Sequence, residues 1–142
     1  NGIDYGFVGD VDRVDARALC NLLAQGITPV MAPLTHDGKG NILNTNADTI
    51  ASETAKALAP HFDVTLVYAF EKAGVLANPD DETTVIRNIN KENFERYKSE
   101  GIIAGGMLPK LDNAFAAIAT GVKRVAITKD NDLTVSQGTV VE

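Results

Sequence analysis

The chain has 142 residues, 44% of them hydrophobic and 23% charged, which suits one soluble globular domain and leaves no room for two of ordinary size. Lys plus Arg is 13 and Asp plus Glu is 19, giving a formal charge of −6. That excludes the basic footprint of a general nucleic-acid binder, though not a single phosphate held by a local lysine or a helix N-terminus. No apolar run approaches the roughly 20 residues that span a bilayer, and no signal peptide is read at the start. Cys20 stands alone, so no disulfide framework is expected and a cytoplasmic setting is.

The chain begins Asn1-Gly2-Ile3 without Met, which is read as a cut or processed end. Asp15 to Gln25 has Ala16, Leu19, Leu22 and Leu23 at helical spacing, with Gly26 at the capping position. Ile27 to Leu34 is short and apolar and reads as a buried strand, although Pro29 and Pro33 argue against a central place. Asp37-Gly38-Lys39-Gly40 is a turn, and Asn41 to Asn44 is the return strand of a hairpin. A second helix is expected from Asp48 to Ala59, with Ala51, Thr54, Ala55 and Leu58 on one face and Pro60 at its end.

Val64 to Phe70 is β-branched, aromatic and nearly continuous, the pattern of a parallel strand covered on both faces. Asn78 to Thr84 reads as an exposed loop, and Asn90 as the cap of a helix from Lys91 to Glu100 that stops at Gly101. Gly105 to Lys110 is a flexible loop leading into a helix with Pro109 in its first turn, Leu111, Ala114, Phe115 and Ile118 on one face, and Gly121 after it. Val122 to Thr128 and Thr139 to Val141 are further strands. The alternation predicts an α/β fold, a three-layer αβα sandwich with a mostly parallel sheet.

Three segments can carry chemistry. Asn44-Thr45-Asn46-Ala47-Asp48 joins a strand to a helix N-terminus, where ligands gather in open α/β sheets. Its Asn side chains can donate to an anionic substrate, and its Asp can orient a lysine or accept a proton. The plainer reading on spacing alone is that Asn46 or Asp48 simply caps the helix. In Gly105-Gly106-Met107-Leu108-Pro109-Lys110, the glycines admit a ligand close to the backbone. The helix N-terminus and Lys110 there favour an anion such as a transferring phosphoryl group. A flexible turn followed by a solvated lysine is the plainer alternative, and the segment is not a Walker A loop. Phe70-Glu71-Lys72-Ala73-Gly74-Val75-Leu76 can present backbone groups to an adenine, or be an ordinary exit from a strand.

Other residues read as structural. His36 and His61 have no neighbours at metal-ligand spacing, so no protein metal site is expected. Cys20 is a packing residue, Asp80-Asp81-Glu82 is a solvated loop, and no G-x-S-x-G elbow marks a serine nucleophile.

Taken in order, the segments resemble the carboxyl-terminal half of the acetylglutamate kinase branch of the amino acid kinase family. The resemblance begins at Gly6-Phe7-Val8-Gly9-Asp10-Val11 and runs through Pro29-Val30-Met31-Ala32-Pro33, Asn44 to Asp48, Gly74-Val75-Leu76 and Gly105 to Lys110, ending near Gly138-Thr139. It implies ATP-dependent phosphorylation of the γ-carboxylate of an N-acylglutamate, a step of arginine synthesis, with Mg²⁺ bridging the phosphates. By that resemblance Asn44 binds the α-carboxylate of the acceptor, Asp48 orients catalytic lysines, and Lys110 stabilises the transferring phosphoryl group. Phe70, Glu71, Gly74, Val75, Leu76, Gly106 and Met107 fall in the nucleotide-binding segments.

Two departures accompany the resemblance. Glu71 stands where the family usually has Asp, with Lys72 adding a charge. The family's Gly-rich phosphate loop and second catalytic lysine, from its amino-terminal half, are not among these residues. Residues 1–142 are therefore read as one nucleotide-binding domain, a piece of a larger kinase and inactive alone. A non-catalytic nucleotide-binding or interaction module of the same fold is the alternative. A homo-oligomer is left open for the intact enzyme, while this piece can be monomeric or pair through an exposed sheet edge.

Overall fold

The computed structural model describes residues 5–142, so the expectation about Asn1 lies outside the described residues. The first helix, α1, spans Ala16–Ala24. It starts where Asp15 accepts the Ala18 N–H at 3.0 Å and is followed by Gly26 in the left-handed region, at φ 74°. Two short strands, β1 (Leu34–His36) and β2 (Ile42–Asn44), pair antiparallel around the expected turn. Asp37 closes that turn, accepting the Lys39 and Asn41 N–H groups and the Asn41 side-chain amide. These bonds to its ionised form hold the Asp37 carboxyl below its usual range.

Helix α2 (Ala47–Leu58) is capped by Asn46, which accepts the Thr49 N–H. Strand β3 (Thr65–Phe70) and strand β4 (Asn88–Ile89) follow. Helix α3 (Lys91–Ser99) opens with a reciprocal capping box between Asn90 and Asn93. Helix α4 (Met107–Ala119), strand β5 (Arg124–Lys129) and strand β6 (Thr139–Val141) complete the chain.

The main sheet has the order β3-β5-β6-β4. β3 pairs with β5 and β4 with β6 in parallel, while β5 and β6 run antiparallel, so the sheet is mixed. The register lines up Leu66 with Val125 and Tyr68 with Ile127, and Val125 in turn with Val141. These side chains share one face and form a single apolar core with Ala55 of α2, Phe94 of α3, and Leu111, Ala114 and Ala117 of α4. Phe94 and Phe115 stack at a tilt with centroids 5.2 Å apart, tying α3 to α4.

Two expectations need correction. Residues 27–33 form no strand, and only Leu34 begins one; Val30 is 95% exposed. The apolar composition is real, but Pro29 and Pro33 lack the N–H groups a ladder needs, and nothing among the described residues covers Val30. The second concerns β3, which lies at the edge of the sheet with Thr65 and Ala69 exposed. The strand buried on both faces is β5, where Val125 to Thr128 are all buried. The apolar stripe of α1 likewise exists without burial: no residue of that helix is buried. Among the described residues no helix is long and apolar enough to cross a membrane.

Candidate functional site

The segment before α2 is fixed through its backbone. The Asn44 N–H donates to the Phe7 carbonyl at 2.8 Å, the Asn44 carbonyl accepts the Gly9 N–H at 2.9 Å, and the Thr45 N–H donates to Pro33 at 3.0 Å. The buried Thr45 hydroxyl meets that of Thr35 at 2.8 Å. The Asn44 side chain is exposed. Because Asn46 does the capping, Asp48 is released from that role. The two readings of this segment thus divide between neighbouring residues.

Asp48 sits in the first turn of α2, and its carboxylate accepts from the Lys110 ammonium at 2.6 Å across 62 positions of sequence. The Lys110 side chain is only 17% exposed and that of Asp48 is 39% exposed. Lys110 lies in the first turn of α4, where the helix dipole opposes a cation. Gly106, the capping residue of that helix, offers no side-chain bond to it; the Leu108 N–H donates to the Gly105 carbonyl at 3.2 Å and Pro109 has no N–H, which leaves the Met107 N–H of the first turn for an anion. Asp48, by contrast, lies favourably at the positive end of its own helix. A carboxylate bonded to a part-buried lysine beside two helix N-termini suits the stabilisation of negative charge that develops on a transferring group.

Two aromatic rings flank the lysine. The Lys110 ammonium is 4.7 Å from the Tyr68 ring centroid and 5.9 Å from that of Phe70. Tyr68 is 4% exposed, and its hydroxyl has no hydrogen-bond partner among the described residues. Burial pushes its pKa above the usual tyrosine value. The nearby Ser52 hydroxyl favours the ionised form without reaching bonding geometry, and the charges of Asp48 and Glu53 reinforce the rise.

One helical turn before Lys110, Met107 lines a cleft of about 300 Å³ together with Lys72, Gly74, Val75, Leu76 and Ile103. The cleft lies beyond the carboxyl end of β3, where ligands of α/β sheets collect. Its floor is locked to the sheet by Thr139: the Val75 N–H donates to the Thr139 hydroxyl at 2.8 Å, and that hydroxyl donates to the Ile86 carbonyl at 2.7 Å. Gly74 is required here because a Cβ would come within 2.7 Å of the Thr139 hydroxyl oxygen.

The predicted residues therefore fall into groups. Asp48 and Lys110 meet directly. Gly74, Val75, Leu76 and Met107 share the cleft. Phe70 turns its ring to Lys110, and its carbonyl accepts the Asp130 N–H at 3.0 Å. Glu71 is exposed and does not line the cleft, and Gly106 stands at the mouth of α4. Tyr68, Thr139 and Ile103 escaped sequence reasoning. Tyr68 carried one signal, a phenol within an otherwise largely apolar strand; Ile103 was visible only as half of an apolar pair between two glycines.

Of the residues set aside, the His36 ring nitrogen Nδ1 accepts the Gly38 N–H at 3.1 Å within the turn. Cys20, read as a packing residue, is only part-buried, on a helix that buries no residue. A larger open cleft, about 600 Å³, lies between residues 10–14, the hairpin and α2, and contains none of the predicted residues.

Comparisons with known proteins agree with this fold. An acetylglutamate kinase of Bacteroides fragilis is 59% identical over 140 residues, 99% of this chain and 54% of that protein. The chain thus spans about half the length of the curated relatives it matches. Among solved structures, smu.665 from Streptococcus mutans UA159 superposes with a TM-score of 0.78 at 33% identity, covering 99% of this chain and 54% of that one. N-acetylglutamate synthase from Neisseria gonorrhoeae, complexed with coenzyme A and L-arginine, superposes at 0.84 with 25% identity, covering 99% and 34%. Residues 1–129 match the amino acid kinase family itself, and with that match and the mixed α/β sheet, the chain belongs to the amino acid kinase family.

Proposed function

We propose that these residues form the ATP-binding, carboxyl-terminal half of a cytoplasmic kinase of arginine biosynthesis that phosphorylates the γ-carboxylate of N-acetylglutamate or a related N-acylglutamate. The observation that carries the reading is the Lys110–Asp48 bond at 2.6 Å, one helical turn from the cleft of Gly74, Val75, Leu76 and Met107. The likeness to acetylglutamate kinases supports the choice of acceptor.

In this reaction a γ-carboxylate oxygen attacks the γ-phosphorus of ATP in line. The bond from that phosphorus to the bridging oxygen breaks, and ADP leaves beside an acylglutamyl phosphate. No covalent enzyme intermediate is needed, so the work is positioning and charge neutralisation. Lys110 faces the charge on the transferring group, and Asp48 keeps its ammonium aimed. The Asn44 amide is assigned to the acceptor α-carboxylate, and the segment from Phe70 to Leu76 to the nucleotide. Mg²⁺ would neutralise the ATP phosphates. Among the described residues no three metal-ligating side chains cluster, which fits an ion that would be carried largely by the nucleotide, since Mg²⁺ needs only one or two carboxylates beside the phosphates.

The test is ADP release by the full-length enzyme. Turnover that requires N-acetylglutamate or another N-acylglutamate is expected; turnover with other carboxylates alone would overturn the acceptor. A second reading, a non-catalytic nucleotide-binding module, draws on the same fold occurring in a protein named as a synthase. ATP binding without ADP release under any acceptor would favour it.

A further inference from the structure

Lys110 is held where local electrostatics disfavour it. Its place in the first turn of α4 opposes the helix dipole, and its side chain is largely withdrawn from water. Asp48 supplies one compensating contact at 2.6 Å, from α2. A single carboxylate fixes a distance but leaves a flexible four-carbon side chain free to swing about it. The remaining contacts come from β3. Tyr68 and Phe70 are two residues apart, so both rings stand on the same face of the strand. The ammonium lies 4.7 Å from one centroid and 5.9 Å from the other. Both distances are within the range at which a cation is attracted to the face of an aromatic ring.

The two partners of Lys110 differ in what a substrate would do to them. An incoming phosphoryl group competes with Asp48 for the ammonium's donors, because both are anionic acceptors. The rings accept nothing and do not compete. They can hold the ammonium while its hydrogen bonds are exchanged. The hydroxyl of Tyr68 contributes nothing to this, being buried and without a hydrogen-bond partner among the described residues.

We propose that Tyr68, with Phe70 as the outer ring, is a positioning residue: the two rings form an aromatic platform that holds the Lys110 ammonium in line for phosphoryl transfer, and Tyr68 acts through its ring and not its hydroxyl. This deepens the kinase reading and rests on it for the rate measurement alone.

The experiment has two arms. In the first, the full-length enzyme is labelled with ¹³C-lysine, and the ε-methylene protons of Lys110 are followed by NMR. Ring currents shift them upfield in the wild type. Tyr68→Leu abolishes most of that shift, and Tyr68→Phe restores it. In the second arm, kcat and KM are measured on the full-length enzyme. Tyr68→Leu lowers kcat about tenfold with KM for ATP little changed, the size expected from losing a desolvated cation–π contact. Phe at that position recovers the rate. Phe70→Leu, at the longer distance, costs about two- to threefold and serves if Tyr68→Leu fails to fold.

A Lys110 shift unchanged in both leucine variants overturns the platform. So does a Tyr68→Phe defect as large as that of Tyr68→Leu, which would put the hydroxyl in charge. If Tyr68→Leu loses the shift but keeps its kcat, positioning is overturned while the kinase reading stands. If the wild-type enzyme shows no turnover, the kinase reading falls, and the NMR arm alone decides the contact.

Discussion

Thr139→Val removes one hydroxyl and almost nothing else. The residue is fully buried, and the swap keeps its volume and branching while deleting two hydrogen bonds. The Val75 N–H loses its 2.8 Å acceptor, and the Ile86 carbonyl loses its 2.7 Å donor. Val75 is 1% exposed, so its N–H cannot turn to water. A buried backbone group left unsatisfied costs about 1–3 kcal/mol. Ile86 is only partly buried, so its carbonyl adds less, and the total comes to about 2–4 kcal/mol. With a urea slope of about 2 kcal/mol/M, the middle of the usual range, the unfolding midpoint falls by about 1–2 M.

Calorimetry with ATP reads the second consequence, because Val75 is part of the proposed nucleotide cleft. Weaker binding should accompany the loss of stability. Thr139→Ser, which keeps the hydroxyl, should retain most of both. A midpoint shift under about 0.2 M for the valine variant would refute the reasoning, since it implies that neither group depends on Thr139.

Lys110→Ala in the full-length enzyme should lower kcat about 10²-fold or more, the usual loss for a group that stabilises transition-state charge; an unchanged kcat removes it from the mechanism. The 142 residues alone should bind ATP yet release no ADP with N-acetylglutamate, because their relatives use a chain nearly twice as long; substantial turnover in a coupled assay would contradict this. Gly138→Ala would bring a Cβ within 2.7 Å of the Ile127 carbonyl oxygen, so a loss of about 1–3 kcal/mol is expected, and an unchanged Tm would argue against the clash. Asp132 accepts from the Ser136 and Gln137 N–H groups, which depress its carboxyl well below the ordinary 3.8. Its contribution to the loop is complete above pH 3.8 and lost only as the pH falls below that value towards the depressed one. An NMR titration of those two amides should show a midpoint well under 3.8; one at or above it would show that the bonds do not favour the ionised form.

Most helix boundaries were legible because they have a local cause; the exception is α4, which no side chain caps and which begins at Met107, inside the segment read as a loop to Lys110. Asp15, Asn46 and Asn90 each accept an N–H in the first turn, and Gly26, Gly101 and Gly121 sit at positive φ just past the helix ends. The hairpin at Asp37-Gly38 was legible for the same reason. Burial was harder, because it depends on what lies opposite. Val30 and Leu66 look alike in sequence, yet one is 95% exposed and the other 7%. The edge position of β3 and the antiparallel run of β6 against β5 are properties of pairing between distant segments, and no local pattern encodes them. Strand β4, two residues long, is too short to show any periodicity.

The candidate site divides in the same way. That Asp48 and Lys110 could matter was visible from their places at helix starts. That they touch was reached only through the family resemblance, since 62 residues separate them. The ring of Tyr68 was hidden by its own strand: an apolar run announces core, and nothing in it tells which core residue has a charge above it.

The position of Lys110 bears on how this protein would respond to engineering. A cation at the positive end of a helix, largely shielded from water, is an element that folding alone would discard. Selection for heat resistance without selection for turnover should therefore replace Lys110 early, by a residue such as Leu or Met that packs on the two rings. Asp48, favourably placed at the positive end of its own helix and part-exposed, is under no such pressure and should stay. Stability and activity pull against each other at this one locus. A thermostable variant that keeps Lys110 would have found its gain elsewhere, and the exposed apolar stripe of α1 and the surface of residues 27–33 offer it ample room.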